Sequence, residues 1–165
     1  MRSCIWFFLI IFFVQNSFAE CVKRFSLINN NAEVYDKKTG LIWSRCTHGM
    51  SWENSVGCFG EIELLTLKEA KKIEQMNKKW RLPSIDELIS LVDIECKNHP
   101  VDSAVFPDIQ SVHGDSTYLS TTIYLSNEGT KEMPALFYTI DFMQGIVDAH
   151  TQRMAYRVRW VKMEK

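Results

Sequence analysis

No C-x-x-C pair, no H-x-H and no H-E-x-x-H occurs in the sequence, and the four histidines, His48, His99, His113 and His150, show no other metal-ligand spacing. A metal site is therefore not expected. G-x-S-x-G, the P-loop and G-x-G-x-x-G are also missing, which removes the familiar nucleophile, triphosphate and dinucleotide signatures. Catalysis needs a nucleophile beside a base or a poised carboxylate pair, and neither stands out. The expectation is a protein that is not an enzyme and holds no cofactor. Internal repeats, low-complexity stretches and interdomain linkers are absent as well, so one domain is expected.

The one long apolar run stands at the beginning. After Met1-Arg2-Ser3 it extends from Cys4 to Val14 and gives way to Gln15-Asn16, with small residues at Ser17 and Ala19. That order reads as a cleavable signal peptide over residues 1–19, and eleven apolar residues span only about half of a ~30 Å hydrocarbon core. The mature chain, residues 20–165, is thus expected to be secreted or periplasmic, with no membrane span. It keeps 18 basic and 20 acidic residues, a formal charge of −2, which gives no general attraction to nucleic acid or anionic membrane. Of five cysteines, Cys4 leaves with the leader, and Cys21, Cys46, Cys58 and Cys96 remain as an even set in an oxidising compartment. Two disulfides are expected. Three pairings are possible; Cys46 with Cys58 is favoured because the segment between them looks like a loop that needs a staple, and this leaves Cys21 with Cys96.

Patterning gives strands near Phe25-Ser26-Leu27-Ile28, Ala32-Glu33-Val34-Tyr35 and Leu41-Ile42-Trp43, with a turn at Asp36-Lys37-Lys38-Thr39-Gly40. Two capping boxes, Thr66-Leu67-Lys68-Glu69 and Ser84-Ile85-Asp86-Glu87, predict helices reaching about residues 79 and 93. Strands are expected at 118–124, 136–142, 146–149 and 156–162, with turns at Asn127-Glu128-Gly129 and Met143-Gln144-Gly145. The sum is an α+β fold.

Val34-Tyr35-Asp36-Lys37-Lys38-Thr39-Gly40-Leu41-Ile42-Trp43 with Arg45-Cys46, then Trp80-Arg81-Leu82-Pro83-Ser84 with Glu87-Leu88, follow one another at a recognisable spacing. Val105-Phe106-Pro107, Tyr118-Leu119-Ser120-Thr121, Phe142-Met143-Gln144-Gly145 and Val158-Arg159-Trp160-Val161-Lys162 continue it. In that order they resemble the Lcl C-terminal domain family of exported bacterial proteins, from about Val34 to Lys162. The resemblance implies a C-type-lectin-like fold, in which first and last strands pair and two helices pack on a twisted antiparallel core. It also implies a binding module, possible homo-oligomers, and an adhesin-like role toward a glycan of the sulfated-polysaccharide type or a surface protein. The calcium-dependent sugar triplets of C-type lectins are not matched, since Glu132-Met133-Pro134 departs from Glu-Pro-Asn and no Trp precedes Asn-Asp.

Two groups of residues are candidates for ligand binding. Trp52 lies in the stapled loop beside His48, Met50 and Glu53, where an aromatic stacks on a sugar or pins the loop to the body. Arg153, Arg157 and Arg159 share strand parity near the chain end, and such a strip either grips sulfate through forked hydrogen bonds or guards a solvated edge. Lys68, Lys71, Lys72, Lys78 and Lys79 read as a wet helix face. Core packing is the expected role of Trp43, Trp80 and Trp160. A packing subunit of an envelope complex and an enzyme of unrecognised type are the rival readings.

Overall fold

The computed structural model describes residues 24–93, 100–109, 116–125 and 132–164. The expected leader, Cys21, Cys96 and the turn at Asn127-Glu128-Gly129 lie outside the described residues.

Three short strands come first, β1 (Phe25–Ile28), β2 (Glu33–Asp36) and β3 (Leu41–Ser44). They join antiparallel with β9 (Val161–Met163) in the order β1-β2-β3-β9. The last strand therefore pairs with the third, not with the first as the resemblance implied, and β1 takes the outer edge. The turn between β2 and β3 closes on Asp36, whose carboxylate accepts from the Lys38 amide at 3.0 Å and the Thr39 hydroxyl at 2.8 Å. Gly40 follows at φ 71° and donates its N–H to the Asp36 carbonyl at 2.8 Å. A glycine takes that left-handed position without a steric penalty.

The Cys46 to Cys58 segment, read from sequence as a loop, contains an antiparallel hairpin, β4 (Met50–Glu53) and β5 (Gly57–Gly60). Gly49, at φ 92°, sets its entry, and a Cβ there would lie on the Glu61 carbonyl oxygen. The helices α1 (Leu67–Met76) and α2 (Ile85–Ser90) start where the capping boxes put them, with both reciprocal bonds made in each. Both end early. Asn77 accepts the Lys79 amide on its side chain at 3.2 Å, which turns the chain out of α1. Asp93 gives its amide to the Pro100 carbonyl at 2.6 Å rather than to a helical partner, so α2 stops short of it.

A 3₁₀ turn (Pro107–Ile109) leads to the sheet β6 (Thr117–Leu125), β7 (Glu132–Asp141) and β8 (Ile146–Thr151), in that order. Neighbouring residues of a strand face opposite sides, and here both sides are cores. Tyr118, Ile140 and Phe142 join Trp43, Leu88 and Phe106 on one side. Leu119 and Phe137 join Leu67, Ala70 and Leu82 on the other. The expected strand over 156–162 shortens to Val161–Met163. Upstream of it the chain threads between separate partners, Tyr156 bridging to Leu65, Arg157 to Tyr118 and Val158 accepting from the His48 amide, so no continuous ladder forms. The observed class is α+β with antiparallel sheets. Among the described residues no helix is long and apolar enough to cross a membrane.

Candidate binding site

Groups with displaced proton affinities often mark active sites, so the carboxylates displaced here are informative by what holds them: Glu69 by the Thr66 hydroxyl and amide of its capping box, and Asp36, Glu87 and Asp108 by arginine clamps. Asp108, in the 3₁₀ turn, faces Arg159 with Nη2 at 2.8 and 3.0 Å from its two oxygens, and the two side chains are 1% and 0% exposed. The Thr47 amide donates to Asp108 at 2.6 Å and the Thr47 hydroxyl donates to the same oxygen. That leaves Tyr118 Oη to donate to Thr47 Oγ1 at 2.7 Å while it accepts from Arg159 at 3.1 Å. Burial pushes the Asp108 carboxyl up, but the Arg159 charge and the Thr47 bonds outweigh it and hold the group below the usual carboxylate range. Arg159 also donates to the Ser44 carbonyl at 2.9 Å and lies over the Phe106 ring at 4.9 Å. This node ties the chain end to the segment after β3, the 3₁₀ turn and β6.

Two smaller clamps work alike. Arg24 donates to Asp36 at 2.8 and 2.6 Å and to the Ser90 carbonyl at 2.6 Å, joining the strand turn to α2. Arg81 grips Glu87 at 2.8 and 2.5 Å while Glu87 accepts the Ser84 amide at 2.8 Å. In both carboxylates burial raises the proton affinity and the arginine bonds, with local donors, more than reverse it. These are architectural pairs. Among the described residues no group of three or more His, Cys, Asp or Glu is placed to hold a metal ion.

The clamps make stability acid-sensitive with a defined sign. Asp36, Glu87 and Asp108 bind a proton more weakly folded than unfolded. Their contribution is complete above the unfolded-chain values near pH ~4 and is lost as pH falls through the lower folded values. Urea midpoints are expected to stay level from about pH 7 to 5 and to fall below about pH 4; a midpoint unchanged well into that acid range would contradict the clamps.

The nominated residues part company. Arg159 is sealed in the node, and Arg157 is 8% exposed and donates toward the Asp108 carbonyl at 3.4 Å. Only Arg153 is exposed, so no basic strip forms. His48 is half-buried and turns to Trp160, whose indole N–H donates to Nδ1 at 3.3 Å, with Glu63 3.5 Å from Nε2. Trp43 is fully buried, as expected, whereas Trp80 and Trp160 are only half-buried. The Lys162 ammonium lies over the Trp80 ring at 4.3 Å.

Trp52 has a different setting. It sits on β4 directly across from Cys58, and the Cys46–Cys58 disulfide forms with Cα atoms 5.6 Å apart. Arg45 covers one face of the indole, its guanidinium 3.5 Å from the ring centroid, and the ring N–H donates to Asn54 Oδ1 at 3.0 Å. Arg45 in turn donates to the carbonyls of Val105 at 3.0 Å, Asn31 at 3.2 Å and Ala104 at 3.3 Å. Burial lowers its proton affinity somewhat. Asn54 Oδ1 also accepts from Asn31 Nδ2 at 3.3 Å. Arg45 stood out in the sequence only as part of the family pattern, with no link to Trp52, and Asn31 and Asn54 carried no signal. Arg45 lies seven residues from Trp52 and Asn31 twenty-three from Asn54, and only folding joins them.

The Lcl C-terminal domain family model matches residues 32–162. No curated protein and no solved structure matches the chain. The motif residues quoted from the sequence find their explanation in the clamps: Asp36 with the Thr39-Gly40 turn, Arg81 with Glu87, and Tyr118 and Arg159 with the turn that Pro107 opens. By the extent of the match, the chain belongs to the Lcl C-terminal domain family.

Proposed function

We propose that the protein is an exported, non-enzymatic binding module of the lectin-like kind, which recognises a glycan through the stapled β4–β5 hairpin. The observation that carries this is the fixed, half-buried Trp52. Its orientation is held by Arg45 at 3.5 Å and by Asn54 at 3.0 Å, and the Cys46–Cys58 disulfide ties the neighbouring strand β5 to the segment after β3. A rigid, amphipathic ring contributes contact area at little cost in conformational entropy. Export is supported by the Cys46–Cys58 bond, which persists in an oxidising compartment.

A surface protein is the second reading, favoured by Val56, Phe59 and Leu64, which are 62%, 58% and 55% exposed on and beside the same hairpin. A glycan array probed with the oxidised protein, with and without a calcium chelator, separates the two. Saturable binding that survives chelation and drops about thirtyfold in Trp52→Ala is expected, the loss typical of a ~2 kcal/mol anchor. A folded, disulfide-bonded protein that binds no glycan would transfer the function to the protein-binding reading.

A further inference from the structure

We propose, resting on the glycan-binding reading, that the Trp52 site takes a neutral, hydroxyl-rich sugar and not a sulfated or carboxylated one. Besides Arg45, the polar side chains linked to the indole among the described residues are amides. Asn54 Oδ1 is occupied by the Trp52 N–H at 3.0 Å and by Asn31 Nδ2 at 3.3 Å. This leaves the Asn54 amide nitrogen with two donors and Asn31 Oδ1 as an acceptor beside a half-buried ring. An amide offers a donor and an acceptor together, which a hydroxyl, itself both, can satisfy in full, whereas a sulfate, which only accepts, leaves the Asn31 oxygen without a donor.

The rim is also held in an uncommon conformation. Asn29, Asn30 and Asn31 are exposed and lie in succession at φ 49°, 54° and 66°. The left-handed region costs a non-glycine residue free energy, and asparagine tolerates it best. Such strain is retained where the surroundings fix it, and here the Asn31 carbonyl accepts from Arg45 at 3.2 Å.

Charge argues in the same direction. Among the described residues the one cation touching Trp52 is Arg45, which is 7% exposed, covered by the indole and aimed at three backbone carbonyls, so it presents no fork to an anion. Glu53 faces the other side of the hairpin, paired with Gly57, and is exposed there. Of the three arginines nominated for sulfate, Arg157 and Arg159 are buried and only Arg153 is exposed. The exposed cations Lys68, Lys71 and Lys72 stand on α1, and no contact joins them to the Trp52 cluster among the described residues.

The test sets neutral oligosaccharides against heparin and dextran sulfate on one array, using oxidised protein purified from periplasmic expression of the full chain. Asn54→Ala and Asn31→Gly remove one amide each, the second keeping the left-handed backbone available. Binding to neutral sugars is expected, nearly insensitive to salt between about 0.05 and 0.5 M NaCl, and weakened about three- to tenfold by either variant. Circular dichroism of each variant is to match the parent. Binding confined to the sulfated probes, falling steeply with salt and lost in Lys68→Ala/Lys71→Ala/Lys72→Ala but not in Asn54→Ala, would overturn the neutral-sugar assignment while leaving glycan binding in place. No binding to either class would overturn both.

Discussion

Replacing Asp108 with alanine is expected to destabilise the domain by about 3–5 kcal/mol, because it leaves the Arg159 guanidinium charged and uncompensated in the interior. The pair is 0% and 1% exposed, so water cannot take over from the lost carboxylate. The Thr47 amide and hydroxyl lose their acceptor as well, and unsatisfied buried donors cost about 1–3 kcal/mol. Asp108→Ala combined with Arg159→Met removes both charges and is expected to recover much of the loss, since an apolar replacement of a whole buried pair is often near neutral. Asp108→Asn keeps the size and removes the charge, and is expected to flatten the loss of stability in acid. Urea denaturation of the single and double variants measures the coupling directly. Additive losses would show that the two side chains do not act as a pair.

Removing the Cys46–Cys58 bond by Cys46→Ala/Cys58→Ala is the second large effect, about 3 kcal/mol from the entropy of a loop whose ends are 12 residues apart. Its consequence for function is sharper than the number. Among the described residues, strands β4 and β5 pair only with each other, and an isolated two-stranded hairpin is marginal in water. With the staple gone, the hairpin is expected to open before the two cores melt, and Trp52 loses its fixed stack on Arg45. Far-ultraviolet dichroism should therefore keep its helical signal while hydrogen exchange at residues 50–60 accelerates and glycan binding falls in parallel. Unchanged exchange in that segment would show that packing alone holds the hairpin.

What the sequence disclosed follows the range of the interactions involved. Helix starts were legible because a capping box is complete within four residues, as Thr66 with Glu69 and Ser84 with Glu87 demonstrate. Helix ends were not, because the Asp93 amide is claimed by the Pro100 carbonyl across residues that have no local pattern. The strand turn at Asp36 was legible for the same local reason, with its acceptor, donors and Gly40 all inside five positions. The arginine strip failed on an assumption. Parity places Arg157 and Arg159 on a common exposed face only if the chain there is a regular edge strand, whereas it threads between β6, Leu65 and the 3₁₀ turn. Arg159 meets a carboxylate 51 positions away. Trp52 was legible as a candidate because it sits inside the stapled segment, but its partners Arg45, Asn54 and Asn31 were not, since the hairpin itself was read as a loop.

In the proposed function the interior ion pairs serve the frame and the hairpin rim serves the ligand. Titrating the best neutral array sugar into the parent protein, Trp52→Ala and Asp108→Asn separates the two most directly. Trp52→Ala is expected to melt cooperatively yet lose binding about thirtyfold, while Asp108→Asn melts earlier yet, at a temperature where it remains folded, binds like the parent. Undiminished binding by folded Trp52→Ala would contradict the proposed function.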